Sequence, residues 1–504
     1  MIIVVQQPVP GGATSIDTII IFAVLGATVA IGFVGHRASS TIAGYMFANR
    51  SLGPWLLSFS IMATYFSAAS FLGGGGATYL YNLGFGAWLT AWHVIGVVAL
   101  WLIVAGRLFD YISKARVMSI PELIEYRYGS FAARLIASSI IVALFTLYLS
   151  SVYKGGAVVI ASQLRVDLQI ALLLLAVPVV LYLVVGGMRA ATVNNLFLGS
   201  MMLTAAVLAF YYIMSYVGGP LNGLKMLANT TVLGRYPGTL WLRMDGMGPP
   251  PAMEKNAVPL LIMSIAFSIG MAQVALPNLL IQFYAARDYR AIERGRLIGP
   301  ILVALYAILM FSLGAFCHLI IDDKLQLQEL AQLMKDTDWV IPKTISLIVQ
   351  PAVKGFILAT PVAASISTIA LTVLTLTNTV TRDFIQPFIE IRRESTLVVI
   401  VKLVSAIFAL IPVMLTLIEN RLIVEIVGAA FGTVFACFVG PITIGLYWRR
   451  ASREGAIASM IVGVVVGIAW YLYLYRTTWI YPTIPATILS LLAFTVLSIA
   501  KKRR

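Results

Sequence analysis

Charge is what this chain most lacks. Asp, Glu, Lys and Arg together make up 11% of its 504 residues, and hydrophobic types make up 60%. A soluble globular chain carries about 25% charged residues. The scarcity excludes a soluble enzyme and a disordered chain. Only two cysteines occur, Cys317 and Cys437, both within apolar runs. They exclude a disulfide scaffold and cannot build a zinc site by themselves. Walker A loops, nucleophile elbows and metal-ligand spacings are absent, so neither ATP-driven transport nor catalysis finds support in the residues. Acids are scarcer than bases, 20 against 35, for a formal net charge of +15. The bases cluster between apolar runs, as in the cytoplasmic loops of membrane proteins, so the expected partner is a lipid bilayer and not nucleic acid.

What the chain has is length without charge. Stretches free of acids and bases cover 51–106, 168–188, 190–224, 256–286, 297–321, 355–381, 426–448, 456–475 and 477–500, with shorter runs near 15–35, 133–160 and 396–417. A crossing takes about 20 apolar residues, and 51–106 is long enough for two, which predicts an all-α multi-pass protein of about 13 transmembrane helices. No β-barrel alternation occurs. The first run has no basic region before it and no small-residue cleavage site, and reads as a retained helix. With the N-terminus outside and the C-terminus inside, 22 of the 35 Lys and Arg fall on inside segments, as the positive-inside rule requires. The long outside segments are then 217–255 and 322–345, too short for independent domains. No signalling domain is expected after the four bases at 501–504.

Polar residues in lipid are costly and turn toward other helices or a wet cavity. Three clusters qualify. The run 63–76, ATYFSAASFLGGGG, is rich in small, hydroxyl and glycine residues. Its four glycines weaken helix continuity at about 1 kcal/mol each, and an interrupted helix exposes carbonyls that can coordinate a cation; a close-packing face of small residues accounts for it as well. In 363–381, Thr368, Thr372, Thr375 and Thr379 recur on one helix face with Ser365 a turn before. Such a stripe can replace part of a hard cation's water shell, although hydroxyls also bond back to their own helix. The third cluster, 272–278, places Pro277 inside an apolar span beside Asn278 and Gln282. It falls in the seventh span and the first cluster in the second; interruptions at matching places in two halves point to a binding site in an inverted-repeat transporter. Lys154 either pairs with an anionic solute or snorkels outward. His93 either shuttles protons or packs as a hydrogen-bonded core histidine.

In order along the chain, GYMFANRSLG at 44–53, ATYFSAASFLG at 63–73, SIPE at 119–122, GGMRA at 186–190, ASIST at 364–368 and GLYW at 445–448 resemble the sodium:solute symporter family. The stretch from Ala63, the Leu276–Pro277 pair and the segment 451–463 look most like its sodium/pantothenate symporters. The resemblance implies two inverted five-helix repeats in a LeuT-like fold: a leading helix and loop at 1–50, a first repeat at 51–216, a second at 256–448 and two trailing helices at 449–504. It implies a sodium site made by the carbonyls of Ala63, Phe66 and Ala364 and the hydroxyls of Ser367 and Thr368. It places the solute between Thr64, Tyr65, Ser67, Ser70 and Phe71 on one side and Pro277 and Asn278 on the other. Three departures stand out. Asn195 occupies a place where members often carry Asp, which argues against a second sodium ion. Asn278 and Gln282 stand where carboxylate-carrying relatives have His and Arg. Lys154 stands where relatives are apolar and could supply the missing positive charge.

The expected protein is therefore a non-enzymatic secondary active symporter in the cell membrane. Sodium, the coupling ion, drives uptake of a small organic solute, anionic and of the pantothenate kind. Acetate or another monocarboxylate is the alternative solute, and proton coupling through His93 the alternative drive. A channel lacks a repeated pore filter and a sensor lacks an output domain. Nothing in the chain specifies an oligomeric state.

Overall fold

The computed structural model describes residues 15–115, 117–244, 258–417 and 423–500. Arg116, residues 245–257 at the end of the segment expected outside, 418–422, the first 14 residues of the leading segment and the basic tail 501–504 lie outside the described residues.

In chain order the helices are α1 (Ser15–Gly32), α2 (Ile42–Phe47), α3 (Pro54–Tyr65), α4 (Ala68–Leu80), α5 (Leu83–Ala99), α6 (Gly106–Ala115), α7 (Ile120–Tyr128), α8 (Phe131–Leu164), α9 (Leu168–Tyr216) and α10 (Pro220–Asn229). A two-residue hairpin follows, β1 (Thr231–Val232) against β2 (Tyr236–Pro237). The rest are α11 (Val258–Ala272), α12 (Pro277–Leu280), α13 (Tyr289–Phe311), α14 (Leu313–Lys324), α15 (Leu327–Lys335), α16 (Val340–Ile348), α17 (Pro351–Thr379), α18 (Glu394–Thr416), α19 (Ile423–Phe438), α20 (Arg453–Ala469), α21 (Tyr475–Thr478) and α22 (Thr483–Ala500). Among the described residues eleven helices are long and apolar enough to cross a bilayer, or twelve if the bent pair α3–α4 counts as one span. The molecule is an all-α, multi-pass membrane protein. One of the eleven, α9, has 49 residues, about 74 Å at helical rise, against a hydrocarbon core of about 30 Å. It is broken at Gly187 (φ 53°, ψ −147°). A Cβ there would lie 2.6 Å from the Tyr45 carbonyl oxygen, so both the left-handed backbone and the close approach demand glycine.

Two breaks shape the centre. Helices α3 and α4 meet at a 56° bend. Phe66 is extended (φ −82°, ψ 109°), and Ser67 restarts the helix as its N-cap, accepting the Ala69 amide hydrogen. The break is thus at Phe66–Ser67 and not at the glycines, through which α4 runs uninterrupted. Those glycines are a packing face. Cβ atoms at Gly74, Gly75 and Gly76 would fall within 2.4 Å of Phe311, Ile341 and Thr337. The second break separates α11 from α12. Leu276, preceding a proline, is extended (ψ 114°) and Pro277 opens the next helix.

The near ends of the two broken helices are tied together. The Leu52 amide donates to the Ala285 carbonyl at 3.0 Å and the Arg287 amide to the Leu52 carbonyl at 2.9 Å. Reaching that register takes three successive left-handed residues, Ala48, Asn49 and Arg50, at roughly 1–2 kcal/mol each for non-glycine backbone.

Helix α17 runs through the middle and is buried without interruption from Ile357 to Thr379. Its foot joins a charged cluster. Arg134 of α8 bonds Glu122 (3.1 Å) and Glu125 (2.8 Å) of α7 and Asp383 (2.7 Å) beyond α17. At the opposite end of α4, the unsatisfied last-turn carbonyl of Tyr79 accepts from Trp241 Nε1 (2.7 Å) and His318 Nε2 (2.9 Å). The other His318 nitrogen faces both Asp322 oxygens at 3.1 Å. The same carboxylate accepts the Leu233 amide of the hairpin at 2.7 Å.

Candidate functional site

The α3–α4 break lies directly against α17. Ser367 donates its hydroxyl to the Ala63 carbonyl at 2.7 Å and also lies 2.9 Å from the Ala364 carbonyl of its own helix. One turn-neighbour on, Thr368 donates to the Thr64 carbonyl at 2.9 Å. Phe66 follows at the extended joint, its amide bonded to Met62. The break therefore collects main-chain and hydroxyl oxygens from two helices in a wholly buried place. The remaining stripe divides. Ser365 reaches the Val152 carbonyl of α8 at 3.1 Å, whereas Thr372 and Thr375 bond back to Thr368 and Leu371 of their own helix.

Beside this seat is a network of carboxamides. The Thr64 hydroxyl donates to the Ser60 carbonyl and accepts from Asn195 Nδ2 (3.0 Å) and Gln282 Nε2 (3.2 Å). Asn278 Nδ2 donates to Thr372 Oγ1 at 3.1 Å, and Gln282 donates back to the Asn278 carbonyl. The side-chain oxygens of Asn195, Asn278 and Gln282 are buried without a partner.

A central cavity of about 30 Å³ lies on the α4 side of the break. From the break it takes Tyr65, Phe66, Ser67 and Ser70; across from them stand His93 of α5, Ile269 of α11, Phe311 of α13 and Phe431 of α19. Tyr65 donates to the Ile269 carbonyl at 2.7 Å, and its ring stacks on Phe431. Ser70 donates to the Ser67 carbonyl at 2.6 Å. No acidic or basic residue lines the cavity apart from the imidazole of His93. A second hollow, about 420 Å³, lies ahead of the N-terminal end of α3, away from the break, between Phe47, Arg50, Met118 and Tyr284.

Of the expected solute contacts, Tyr65, Ser67 and Ser70 line the central cavity, and Phe66 joins them from the expected ion site. Thr64, Pro277 and Asn278 lie outside its lining, Thr64 and Asn278 within the carboxamide network. Phe71 is fully buried and also outside the lining. Lys154 stands apart as well, close enough to Asp336 and Asp338 of the α15–α16 connection for its charge to oppose the rise in their pKa values. His93 packs in an aromatic box and at the same time lines the cavity. The walls from Ile269, Phe311 and Phe431 carry no signal in the sequence. They are ordinary apolar residues brought in from three distant helices.

With this geometry in hand, the comparisons are informative. The model of the sodium:solute symporter family matches residues 45–463. The osmoregulated proline transporter OpuE of Bacillus subtilis (strain 168) is 28% identical over 487 residues, covering 95% of this chain and 93% of the relative. A sodium/pantothenate symporter of Escherichia coli (strain K12) is 27% identical, covering 90% and 89%. Among solved structures, a Na+-coupled sialic acid symporter in a substrate-bound outward-open state superposes with a TM-score of 0.77 at 16% identity, over 97% of this chain and 98% of that one. A nucleobase-cation-symport-1 family transporter matches with a TM-score of 0.51 at 14% identity, over 92% and 94%.

Proposed function

The chain belongs to the sodium:solute symporter family, and on that footing we propose that it carries a small carboxylate-bearing solute, pantothenate or a similar acid, into the cell together with sodium. The observation that carries this reading is the pair of hydroxyl-to-carbonyl contacts across the break, Ser367 to Ala63 and Thr368 to Thr64. In the proposed site the ion is transported cargo, held by the carbonyls of Ala63, Phe66 and Ala364 and the hydroxyls of Ser367 and Thr368. A hydroxyl that now donates to a carbonyl turns its hydrogen away and offers a lone pair instead. Five neutral oxygens suit a monovalent ion, since no carboxylate is present to offset the desolvation of a divalent one.

Coupling follows from position. The ion draws α3, the joint and α17 together, and the joint also fixes the start of α4. Helix α4 begins beside the solute cavity, and the positive end of its dipole favours a carboxylate there. This takes over the part that Lys154 was expected to play. Ion and solute then favour each other's binding to the same extent. The hollow beside Arg50 supplies the way toward the cytoplasm. The span order in this proposal is 13, with α3–α4 counted as one span and α9 as two. The repeats occupy 51–216 and 256–448, with the leading segment at 1–50 and the trailing pair at 449–504.

A second reading, a smaller amino or imino acid as solute, draws support from the confined ring-walled cavity and from the proline transporter among the relatives. Purified protein in liposomes, given pantothenate, proline or acetate with and without an inward sodium gradient, tests both. Accumulation of one of them that requires sodium is the expected result. Uptake driven equally by a pH gradient without sodium overturns the proposal.

A further inference from the structure

We infer that His93 presents a hydrogen-bond acceptor to the solute and thereby restricts the cavity to solutes that bring an N–H or O–H donor. The inference rests on the symport reading only in taking the central cavity as the solute's place.

The Nδ1 atom of His93 lies 2.6 Å from the Leu89 carbonyl. A carbonyl can only accept, so Nδ1 carries the hydrogen. Nε2 makes no hydrogen bond with any described residue, and His93 lines the cavity with its other nitrogen turned to its own helix. The ring cannot turn away from this arrangement. Phe66 stacks on it nearly parallel (6°), Tyr65 lies against it at 5.3 Å, and Phe311 meets it edge-on at 5.0 Å. Its backbone is held as well, with Gln273 Nε2 donating to the His93 carbonyl at 2.9 Å. No carboxylate lines the cavity to pair with an imidazolium, and a buried unpaired charge is costly. The ring is therefore neutral, and Nε2 carries a lone pair.

No hydrogen bond joins His93 Nε2 to the hydroxyls of Tyr65, Ser67 or Ser70. The Tyr65 hydroxyl is committed to Ile269 and the Ser70 hydroxyl to Ser67. A solute that fills the cavity without a donor leaves Nε2 stripped of water and unmatched, and a site built to hydrogen-bond a substrate group discriminates strongly against analogues that lack it. The solute class is thus a carboxylate that also bears an amine, imine, amide or hydroxyl hydrogen. Simple monocarboxylates such as acetate are disfavoured.

The test uses purified full-length protein in sodium buffer and matched pairs: L-proline against N,N-dimethylproline, and lactate against 2-methoxypropionate, with acetate alongside. Calorimetry reads binding. In at least one pair the donor-bearing member is expected to bind about tenfold or more tightly than its methylated partner. His93→Met should bring that ratio toward one, and His93→Gln, which keeps an acceptor oxygen, should retain part of it. Equal or weaker binding of the donor-bearing member in every pair overturns the inference, as does a ratio that survives in His93→Met or a preference for acetate. Nitrogen-15 NMR of labelled histidine in the unaltered protein gives a second readout that needs no variant. An unprotonated Nε2 is expected, and a protonated one overturns the inference. Sodium dependence of accumulation is scored separately, so that its absence counts against the symport reading while the ratio still judges His93.

Discussion

Ser367 of the central helix places its hydroxyl 2.7 Å from the carbonyl of Ala63, four residues before α4 restarts at Ser67. The two residues are 304 positions apart in the chain. Their contact joins the broken helix to the central one, and everything proposed for coupling passes through it.

The carboxamide beside this contact makes a specific prediction. Asn195 donates to Thr64 at 3.0 Å and is completely buried. In Asn195→Asp a carboxylate loses those donors and brings an unpaired charge into the network, a cost of several kcal/mol. A nearby cation relieves it. The variant should melt below the parent in choline chloride and recover disproportionately in sodium chloride. Equal sodium response in the two proteins contradicts this.

A second prediction concerns the charged cluster at the foot of α17. Arg134 is shared by Glu122, Glu125 and Asp383, and the Asp383 side chain is fully buried. Removing the arginine leaves the buried Asp383 without its cation, while Glu122 keeps Arg382, so Arg134→Met should cost about 3–5 kcal/mol. Adding Asp383→Asn should restore part of that loss, because the stranded charge goes with it. A denaturation series on the single and double variants checks the order; a double variant weaker than the single one contradicts it.

The α15–α16 connection supplies a pH dependence. Burial lifts the Asp338 carboxyl to about 7, Asp336 adding to the rise and Lys154 opposing it. The folded protein holds this proton where the unfolded chain releases it. The group's contribution to stability is therefore fully present below the ordinary value of 3.8 and is lost as pH rises through about 7. Asp338→Asn should flatten the fall in melting temperature between pH 5 and pH 8 and melt higher than the parent at pH 8. An unchanged slope contradicts the assignment.

Much of this fold is legible in the sequence because lipid leaves so few options. Charge-free stretches mark the crossings, and Pro277 marks the second break, since a residue before proline leaves the helical region. The first break is placed by a subtler feature. The glycines at 73–76 draw attention as helix breakers, yet Gly74, Gly75 and Gly76 stay helical and pack closely against Phe311, Ile341 and Thr337, and the hydroxyl cap at Ser67 sets the joint instead. The ion-site residues proposed here come from the family resemblance; in the structure the Ser367 hydroxyl reaches the carbonyls of both Ala63 and Ala364. The central cavity is only half legible in the sequence. Its near wall lies in one contiguous motif, but Ile269, Phe311 and Phe431 are apolar residues like dozens of others, and only packing selects them. For the same reason His93 reads as a packed histidine: nothing local reveals that it also lines the cavity.

Sodium-gradient-driven uptake by Ser367→Ala/Thr368→Ala in liposomes tests the central claim most directly. The account predicts a folded protein, melting within a few degrees of the parent, whose accumulation of solute no longer responds to sodium. Sodium stimulation equal to that of the parent would contradict it.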